Sequence, residues 1–216
     1  YQFGFANHLA GISKKHSVDV NRLISQTNAG YARNSIPQPS PGVGGPCLSK
    51  DSWILEADED SQSESPVLVA RRRNAAVPQE IAATLKSEFM RLSVTRVLCI
   101  GLAFKGSPAT PDLRNSTGLE IASLLHSFGF NLRGWDAEAD LTPIDFLEDD
   151  TTAPQALLIL NDHPSNLWKV RELMSDESQV DHGNVQLRLA FDPWRIARDL
   201  LLEWAQRQGR PMEYHS

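Results

Sequence analysis

The sequence lacks the features that mark secreted, membrane-spanning or nucleic-acid-binding proteins. Only two of its 216 residues are cysteine, Cys47 and Cys99, so we expect no disulfide and a reducing, cytoplasmic compartment. No apolar run approaches the ~18 residues needed to cross a bilayer, and the first residues show no signal-peptide pattern. Lys and Arg number 21 against 27 Asp and Glu, a net charge of −6. That balance argues against nucleic acid or an anionic membrane as a partner.

A dinucleotide-binding fingerprint, G-x-G-x-x-G between a strand and a helix, is also missing. The nearest candidate runs from Gly101 to Gly106 and has bulky residues where a pyrophosphate needs glycine. A second glycine cluster, at 42–45, lies in a proline-rich loop that no strand precedes. These glycines either only shape loops or border a nucleotide site at the carboxyl ends of strands, and their spacing does not decide between the two.

The composition is that of a folded chain, with 41% apolar and 22% charged residues. Apolar residues at helical spacing predict helices near 5–12, 20–26, 48–57 and 78–92, the last with Pro78 in its first turn. No capping residue precedes the first of them. We therefore expect the chain to start inside a helix of a longer protein.

The pattern changes at Ser93 from helices alone to strands that alternate with helices. Apolar runs predict strands at 96–104, 130–136, 156–160 and 185–191, and helices at 117–128, 166–174 and 195–208. Such alternation is typical of an α/β fold with a doubly wound parallel sheet. We expect a helical domain over residues 1–92 and a Rossmann-like domain over residues 93–216.

The thiol of Cys47 stands where a glycine loop meets a predicted helix start. Helix N-termini and nearby cations such as Lys50 favour a thiolate, and Asp51 could orient a water. An ordinary half-buried cysteine is the alternative. Cys99, inside an apolar strand, is expected to be inert.

Five motifs in order along the chain resemble the UDP-glucose/GDP-mannose dehydrogenase family. They are F-A-N at 5–7, G-G-P-C-L-S-K-D at 44–51, R-N at 73–74 followed by Pro78, L-A-F-K at 102–105 with D-L-R-N-S at 112–116, and L-N-D-H at 160–163. The resemblance covers essentially the whole chain and implies a central dimerisation domain followed by a nucleotide-sugar domain. The family's N-terminal NAD domain, and the Lys and Asn of its catalytic helix, would lie before Tyr1.

This resemblance implies a reaction and a set of residues. Family members oxidise a sugar primary alcohol to a carboxylate with two NAD, through a thioester on a cysteine. Here that cysteine corresponds to Cys47, and Asp51 would assist thioester hydrolysis. The implied substrate contacts are Arg33, Ser40, Gly42, Gly44, Gly45, Phe104, Lys105 and Arg195; Arg33 would reach across a homodimer. Arg114 would face NAD, although the loop before it is about two residues longer than the family's.

Two readings of the whole chain remain. It is either part of a UDP-sugar dehydrogenase, inactive by itself, or a non-catalytic nucleotide-sugar-binding and dimerisation module. The presence of Cys47 and Asp51 favours the enzyme. The sequence does not name the sugar, and it leaves UDP and GDP open. For His163 we expect no metal, because no ligand partner stands at a suitable spacing.

Overall fold

The computed structural model describes residues 1–56, 65–148, 152–175, 187–209 and 211–216. Its helices are α1 (Gln2–Lys15), α2 (Val20–Asn28), α3 (Asp51–Glu56), α4 (Pro66–Leu92), α5 (Thr117–Ser127), α6 (Ser165–Ser175) and α7 (Arg198–Gln208). Its strands are β1 (Arg96–Ile100), β2 (Asn131–Trp135), β3 (Ala156–Ile159), β4 (Leu189–Phe191) and β5 (Glu213–His215). No described helix is long and apolar enough to cross a membrane.

The five strands form one parallel sheet in the order β2-β1-β3-β4-β5. The chain leaves β1 toward β2 on one side and returns to β3 on the other. The strand order therefore reverses between β1 and β3, and ligands of open α/β sheets bind in the crevice at such a reversal. The α/β class and the parallel sheet predicted from the sequence are confirmed.

Alternate residues of the strands divide the core into two apolar layers. One layer packs Leu85 and Phe89 of α4 and Ile121 of α5 against the sheet. The other packs Val170 of α6 and Leu201 of α7 against the opposite face. Helices thus cover both faces, which is the doubly wound arrangement.

The structure corrects the start of α4. The sequence places Pro78 in the first turn, whereas the helix begins at Pro66 and Pro78 lies in its interior. Ser65 caps the true start by accepting a hydrogen bond from the Val67 N–H, 3.1 Å away. An interior proline costs one helical hydrogen bond. Burial of α4 along α1 and the sheet offsets that cost.

Two further boundaries differ near the C-terminus. Helix α7 begins at Arg198 instead of 195, because the buried Asp192 carboxylate accepts the N–H groups of Ile196 and Ala197 and holds a turn there. The strand predicted over 185–191 begins only at Leu189, and residues 185 and 186 lie outside the described part of the chain. Strand β5 was not predicted, since three partly buried residues give too short a pattern.

Candidate functional site

The glycine loop, residues 40–47, is held in place by two buried asparagines. Asn7 of α1 accepts the Ser40 N–H through Oδ1 at 3.0 Å. Asn74 of α4 accepts the Val43 N–H at 2.8 Å and donates to the Val43 carbonyl oxygen at 2.9 Å. These three hydrogen bonds fix the loop to both helices, so its shape does not depend on a ligand.

The loop glycines allow the loop to lie directly on the start of α5 and the end of β1. A methyl group at Gly44 would collide with the backbone oxygen of Asn115, and one at Gly42 would come within 2.9 Å of the Thr117 side chain. At Gly45, where φ is +94°, it would come within 2.8 Å of the Phe104 ring. The Gly45 N–H also donates to the Asn115 oxygen at 3.2 Å. Glycine is needed here for close approach and for backbone conformation.

Cys47 is the last residue of this loop and is exposed. Its carbonyl oxygen accepts the N–H groups of Lys50 and Asp51 at 3.1 and 2.9 Å, which closes the turn before α3. Lys50 pairs with Asp51 at 2.9 Å, and the side chains of both are mostly exposed. The thiol therefore stands at a solvent-facing turn with an ammonium and a carboxylate nearby.

Two cations respond electrostatically to the Cys47 sulfur. The pKa of Lys50 is raised, chiefly by its hydrogen bond to Asp51 and in smaller part by the charge of Cys47. The pKa of Arg114 is raised, first by its hydrogen bond to Asp112 and lastly by Cys47. Lys50, from the residues before α3, and Arg114, from the loop before α5, are thus the two cations on which the charge of Cys47 acts.

Phe104 connects the glycine loop to the end of β1. Its ring lies against Gly45, and its N–H donates to the Asp112 oxygen at 3.0 Å. The next residue, Lys105, is partly buried and has its Nζ 5.4 Å from the centroid of that ring. The structure thus brings the predicted residues Gly42, Gly44, Gly45 and Phe104 into one contact region, with Lys105 beside it.

Three predicted substrate contacts lie elsewhere or are already engaged. Arg33 is exposed in the turns after α2. The Ser40 side chain is buried, and its hydroxyl donates to the Gly42 oxygen at 3.2 Å. Arg195 donates to both oxygens of Asp19 at 3.0 and 3.1 Å. Each of the three stays a prediction as a substrate contact.

Ser40 and Arg195 instead border a cavity of about 550 Å³ between α1, α4 and the ends of β4 and β5. Cys47, Phe104 and Lys105 do not line this cavity.

The predicted NAD contact, Arg114, already has a partner within the chain, because its guanidinium donates to both oxygens of Asp112.

The glycines nearest to a dinucleotide fingerprint do not fit NAD. A side chain at Gly101 would meet the amide groups of Asn161 and Asn166, and one at Gly106 would collide with the His163 backbone. Both glycines are therefore used for packing inside the chain. Within the described residues they offer no backbone cradle for a pyrophosphate.

One group of side chains has the spacing of metal ligands. Glu88, Glu213 and His215 have ligand atoms within 4.8 Å of one another. The guanidinium of Arg91 pairs with both carboxylates. The carboxylates of this cluster are therefore already paired with an internal cation, and the cluster lies away from Cys47.

Sequence reasoning missed the residues that hold the loop. Asn7 and Asn74 stand in the motifs that carry the family resemblance, yet their roles as amide anchors were not predicted. Asn115 was also missed; besides its backbone contact with Gly45, its Nδ2 donates to the Ser49 hydroxyl at 3.0 Å. No local pattern links Asn7 and Asn74 to the loop, because they lie 33 and 31 positions from the residues that they hold.

Comparison with known proteins gives the class to which this fold and loop are related. Residues 1–75 match the UDP-glucose/GDP-mannose dehydrogenase family, central domain. The chain is 37% identical over 132 residues to the UDP-N-acetyl-D-mannosamine dehydrogenase of Escherichia coli (strain K12), covering 56% of this chain and 30% of that protein. The family resemblance seen in the motifs is thus confirmed.

Two further relatives agree with that class. The NDP-N-acetyl-D-galactosaminuronic acid dehydrogenase of Ralstonia nicotianae is 36% identical over 121 residues, covering 56% of this chain and 28% of that protein. A solved structure of the UDP-N-acetyl-mannosamine dehydrogenase from S. aureus superposes with a TM-score of 0.70 at 27% identity, over 90% of this chain and 44% of that one. The chain therefore spans less than half the length of these relatives.

Proposed function

We propose that this chain forms the part of an NAD-dependent nucleotide-sugar 6-dehydrogenase that carries the nucleophile and binds the nucleotide. In this proposal residues 1–92 are the central domain and residues 93–216 the nucleotide-sugar domain. The observation that carries it is the packing of the Cys47 loop, through Gly45, on Phe104 beside Lys105. A nucleophile and a phosphate-binding cation thereby belong to one contact region.

The names of the relatives favour a UDP-N-acetyl-hexosamine as the substrate. Lys105 would bind the diphosphate as a point charge, and backbone N–H groups of the glycine loop would add further donors. Arg33, from a second copy of the chain in a homodimer, and Arg195 remain proposed contacts of the substrate. Arg195 would first have to leave Asp19.

Cys47 would act on the sugar aldehyde. Its thiolate sulfur bonds to the carbonyl carbon, and the carbonyl electron pair moves to oxygen. After oxidation of this adduct to a thioester, water attacks the same carbon and the carbon–sulfur bond breaks. Asp51, four residues away in the same turn, would accept the proton of that water.

Two oxidations are needed, of the sugar alcohol to the aldehyde and of the cysteine adduct to the thioester. Both need a hydride acceptor, which we propose is NAD. Gly101 and Gly106, which are packed against Asn161 and His163, do not provide a pyrophosphate cradle for it. Arg114 remains the proposed NAD contact, although in this structure its guanidinium is bonded to Asp112. The chain alone is expected to reduce no NAD.

Calorimetric titration with UDP tests the nucleotide site. The chain should bind UDP, and Lys105→Ala should weaken binding by about 1–3 kcal/mol through loss of a charge-assisted contact. Lys86→Ala is the matched control, since Lys86 also lies over a phenylalanine ring, that of Phe128 at 4.3 Å, but on α4. Binding of GDP instead of UDP would change the nucleotide assignment. Binding of neither would refute the site.

A further inference from the structure

Lys105 lies on a short segment, residues 103–106, whose backbone is fixed on both sides. On the N-terminal side, the Ala103 N–H donates to Asp136 Oδ2 at 2.8 Å, and Asn161 donates to the Ala103 oxygen at 3.2 Å. The Phe104 N–H donates to the Asp112 oxygen at 3.0 Å. The backbone that leads into Lys105 is therefore anchored from the ends of β2 and β3 and from the loop before α5.

On the C-terminal side, a single carboxylate holds the segment. The Gly106 N–H donates to Asp162 Oδ1 at 3.0 Å. Gly106 is buried against the His163 backbone so closely that any side chain would collide with it. Asp162 and His163 lie shortly after the end of β3, at the point where the strand order reverses.

The base of this carboxylate is itself rigid. The His163 N–H donates to Asn161 Oδ1 at 3.1 Å, and His163 Nδ1 accepts the Ser165 N–H at 3.0 Å, at the start of α6. Asn166, fully buried, donates to both the backbone and the side-chain oxygen of Asn161. Movement of Asp162 would therefore disturb a connected set of hydrogen bonds.

We propose that Asp162 is a positioning residue that sets the place of Lys105 by holding the Gly106 N–H. This inference rests on the proposed function, because it concerns the nucleotide contact of Lys105. The carboxylate acts through its hydrogen-bond acceptor and not through its charge, since a negative charge beside a diphosphate site would oppose nucleotide binding. Asn in its place keeps the acceptor without the charge.

The test is a UDP titration of four variants of the full chain: Lys105→Ala, Asp162→Ala, Asp162→Asn and the double variant Lys105→Ala with Asp162→Ala. Asp162→Ala should weaken UDP binding roughly 3- to 10-fold, the effect of one lost hydrogen bond. Asp162→Asn should bind like the unmodified chain or more tightly. In the Lys105→Ala background, Asp162→Ala should have no further effect, because the cation that it positions is gone.

Asp199→Ala, on the exposed side of α7, is the control for removal of one negative charge and should leave UDP binding unchanged. Tighter binding by both Asp162→Ala and Asp162→Asn would show that the charge acts alone and would overturn the proposal. If Asp162→Ala weakens UDP binding equally in the unmodified chain and in the Lys105→Ala variant, the role of Asp162 is merely structural. Weaker UDP binding by Asp162→Asn would show the same. If Asp162→Ala does not fold, weakened binding by Asp162→Asn overturns the proposal by itself.

Failure of the underlying function gives a different result. If Lys105→Ala binds UDP as well as the unmodified chain does, Lys105 is no nucleotide contact, and the proposed site and this inference fall together. If Lys105→Ala weakens binding and Asp162→Ala does not, only the positioning role of Asp162 is refuted.

Discussion

Single amides decide the shape of the loop that carries the candidate nucleophile. The Asn74 side chain both donates to and accepts from the backbone of Val43, which a carboxylate or a hydroxyl does less well. Asn7 provides a second, independent anchor at Ser40. Because both amides are buried, truncation of either one would leave backbone groups of the loop unpaired in the interior.

Asp19 illustrates how one side chain serves two elements. Its carboxylate caps α2 by accepting the N–H groups of Asn21 and Arg22, and it also accepts two hydrogen bonds from Arg195. The hydrogen bond from Arg195 is the largest of the effects that hold the pKa of Asp19 below its ordinary value. The carboxylate therefore stabilises the folded chain in its charged form.

Asp19→Asn should reduce the loss of stability in acid. A lowered folded pKa contributes stability that is present above the unfolded value, near pH 4, and is lost as the pH falls through the folded value. Unfolding by urea between pH 2.5 and pH 6 measures this effect. The variant should lose less free energy of unfolding over that range than the unmodified chain. An unchanged pH dependence would show that the Arg195 contact contributes nothing in solution.

At the residue scale, the sequence predicted local position better than long-range contacts. Cys47 and Asp51 were predicted beside a helix start, and the structure places both around the first turn of α3. Arg195 was predicted to contact substrate, and its pairing with Asp19 joins positions too distant in sequence for any local pattern to reveal. Roles that depend on long-range pairing follow from the fold and not from motif spacing.

At the scale of elements, the glycine loop packs directly on the segment after β1. Their contact requires the absence of side chains on one side and an aromatic ring on the other. The loop is therefore sensitive to any added Cβ, while its own flexibility is limited by the asparagine anchors.

Gly45→Ala should destabilise the chain more than a matched glycine replacement. Gly30 also has a positive φ, +72°, but nothing lies within 4 Å of its added methyl group. Gly30→Ala should thus cost about 1 kcal/mol for backbone strain alone. Gly45→Ala should cost about 1–3 kcal/mol more, because the Phe104 ring must also move. Urea unfolding compares the two, and equal losses would mean that Gly45 does not pack on Phe104.

The helices and strands were largely predictable where an apolar pattern continues over many residues. Helix α5 and strand β1 carry continuous apolar patterns, and both begin at the predicted residue. The early half of α4 was missed because the run Arg71–Arg73 separates the apolar residues of its first turns into two groups, at 67–70 and 75–77. Burial of Asn74 and Val77 against the glycine loop and α1 comes from tertiary packing, which no local period records.

In the whole molecule, the sheet buries apolar side chains for which the sequence pattern predicted no partner within the chain. The apolar stripes of the helices at 1–30 and 75–92 predict a two-fold dimer through both, yet Leu85 and Phe89 are buried in the chain's own core. That premise was wrong for α4. Six of the fourteen large apolar side chains that stay exposed in the described part of the chain lie within residues 1–23: Tyr1, Phe3, Phe5, Ile12, Val18 and Leu23.

We accordingly propose that a homodimer forms through α1 and α2, without the stripe of α4. Light scattering at high micromolar concentration should give twice the chain mass, and Phe5→Asp should shift the chain toward monomer, since a charge in an apolar interface is unpaired. Trp168→Asp, at an exposed aromatic residue on α6, is the control and should leave the mass unchanged. A monomer with intact helices would contradict the proposal.

We propose that the glycine loop with Cys47 and the segment around Lys105 form one nucleotide-sugar site. Cys99 provides an internal reference, because it is fully buried and burial raises its pKa to about 12.

The most direct measurement is the alkylation rate of both thiols at neutral pH, by peptide mapping, with and without saturating UDP-N-acetyl-hexosamine. Cys47 should react first, the nucleotide sugar should slow its reaction several-fold, and Cys99 should stay unlabelled until the chain unfolds. Preferential labelling of Cys99 in the folded chain would contradict the assignment of Cys47 as the nucleophile. An alkylation rate of Cys47 that the nucleotide sugar does not change would show that Cys47 does not belong to the nucleotide-sugar site.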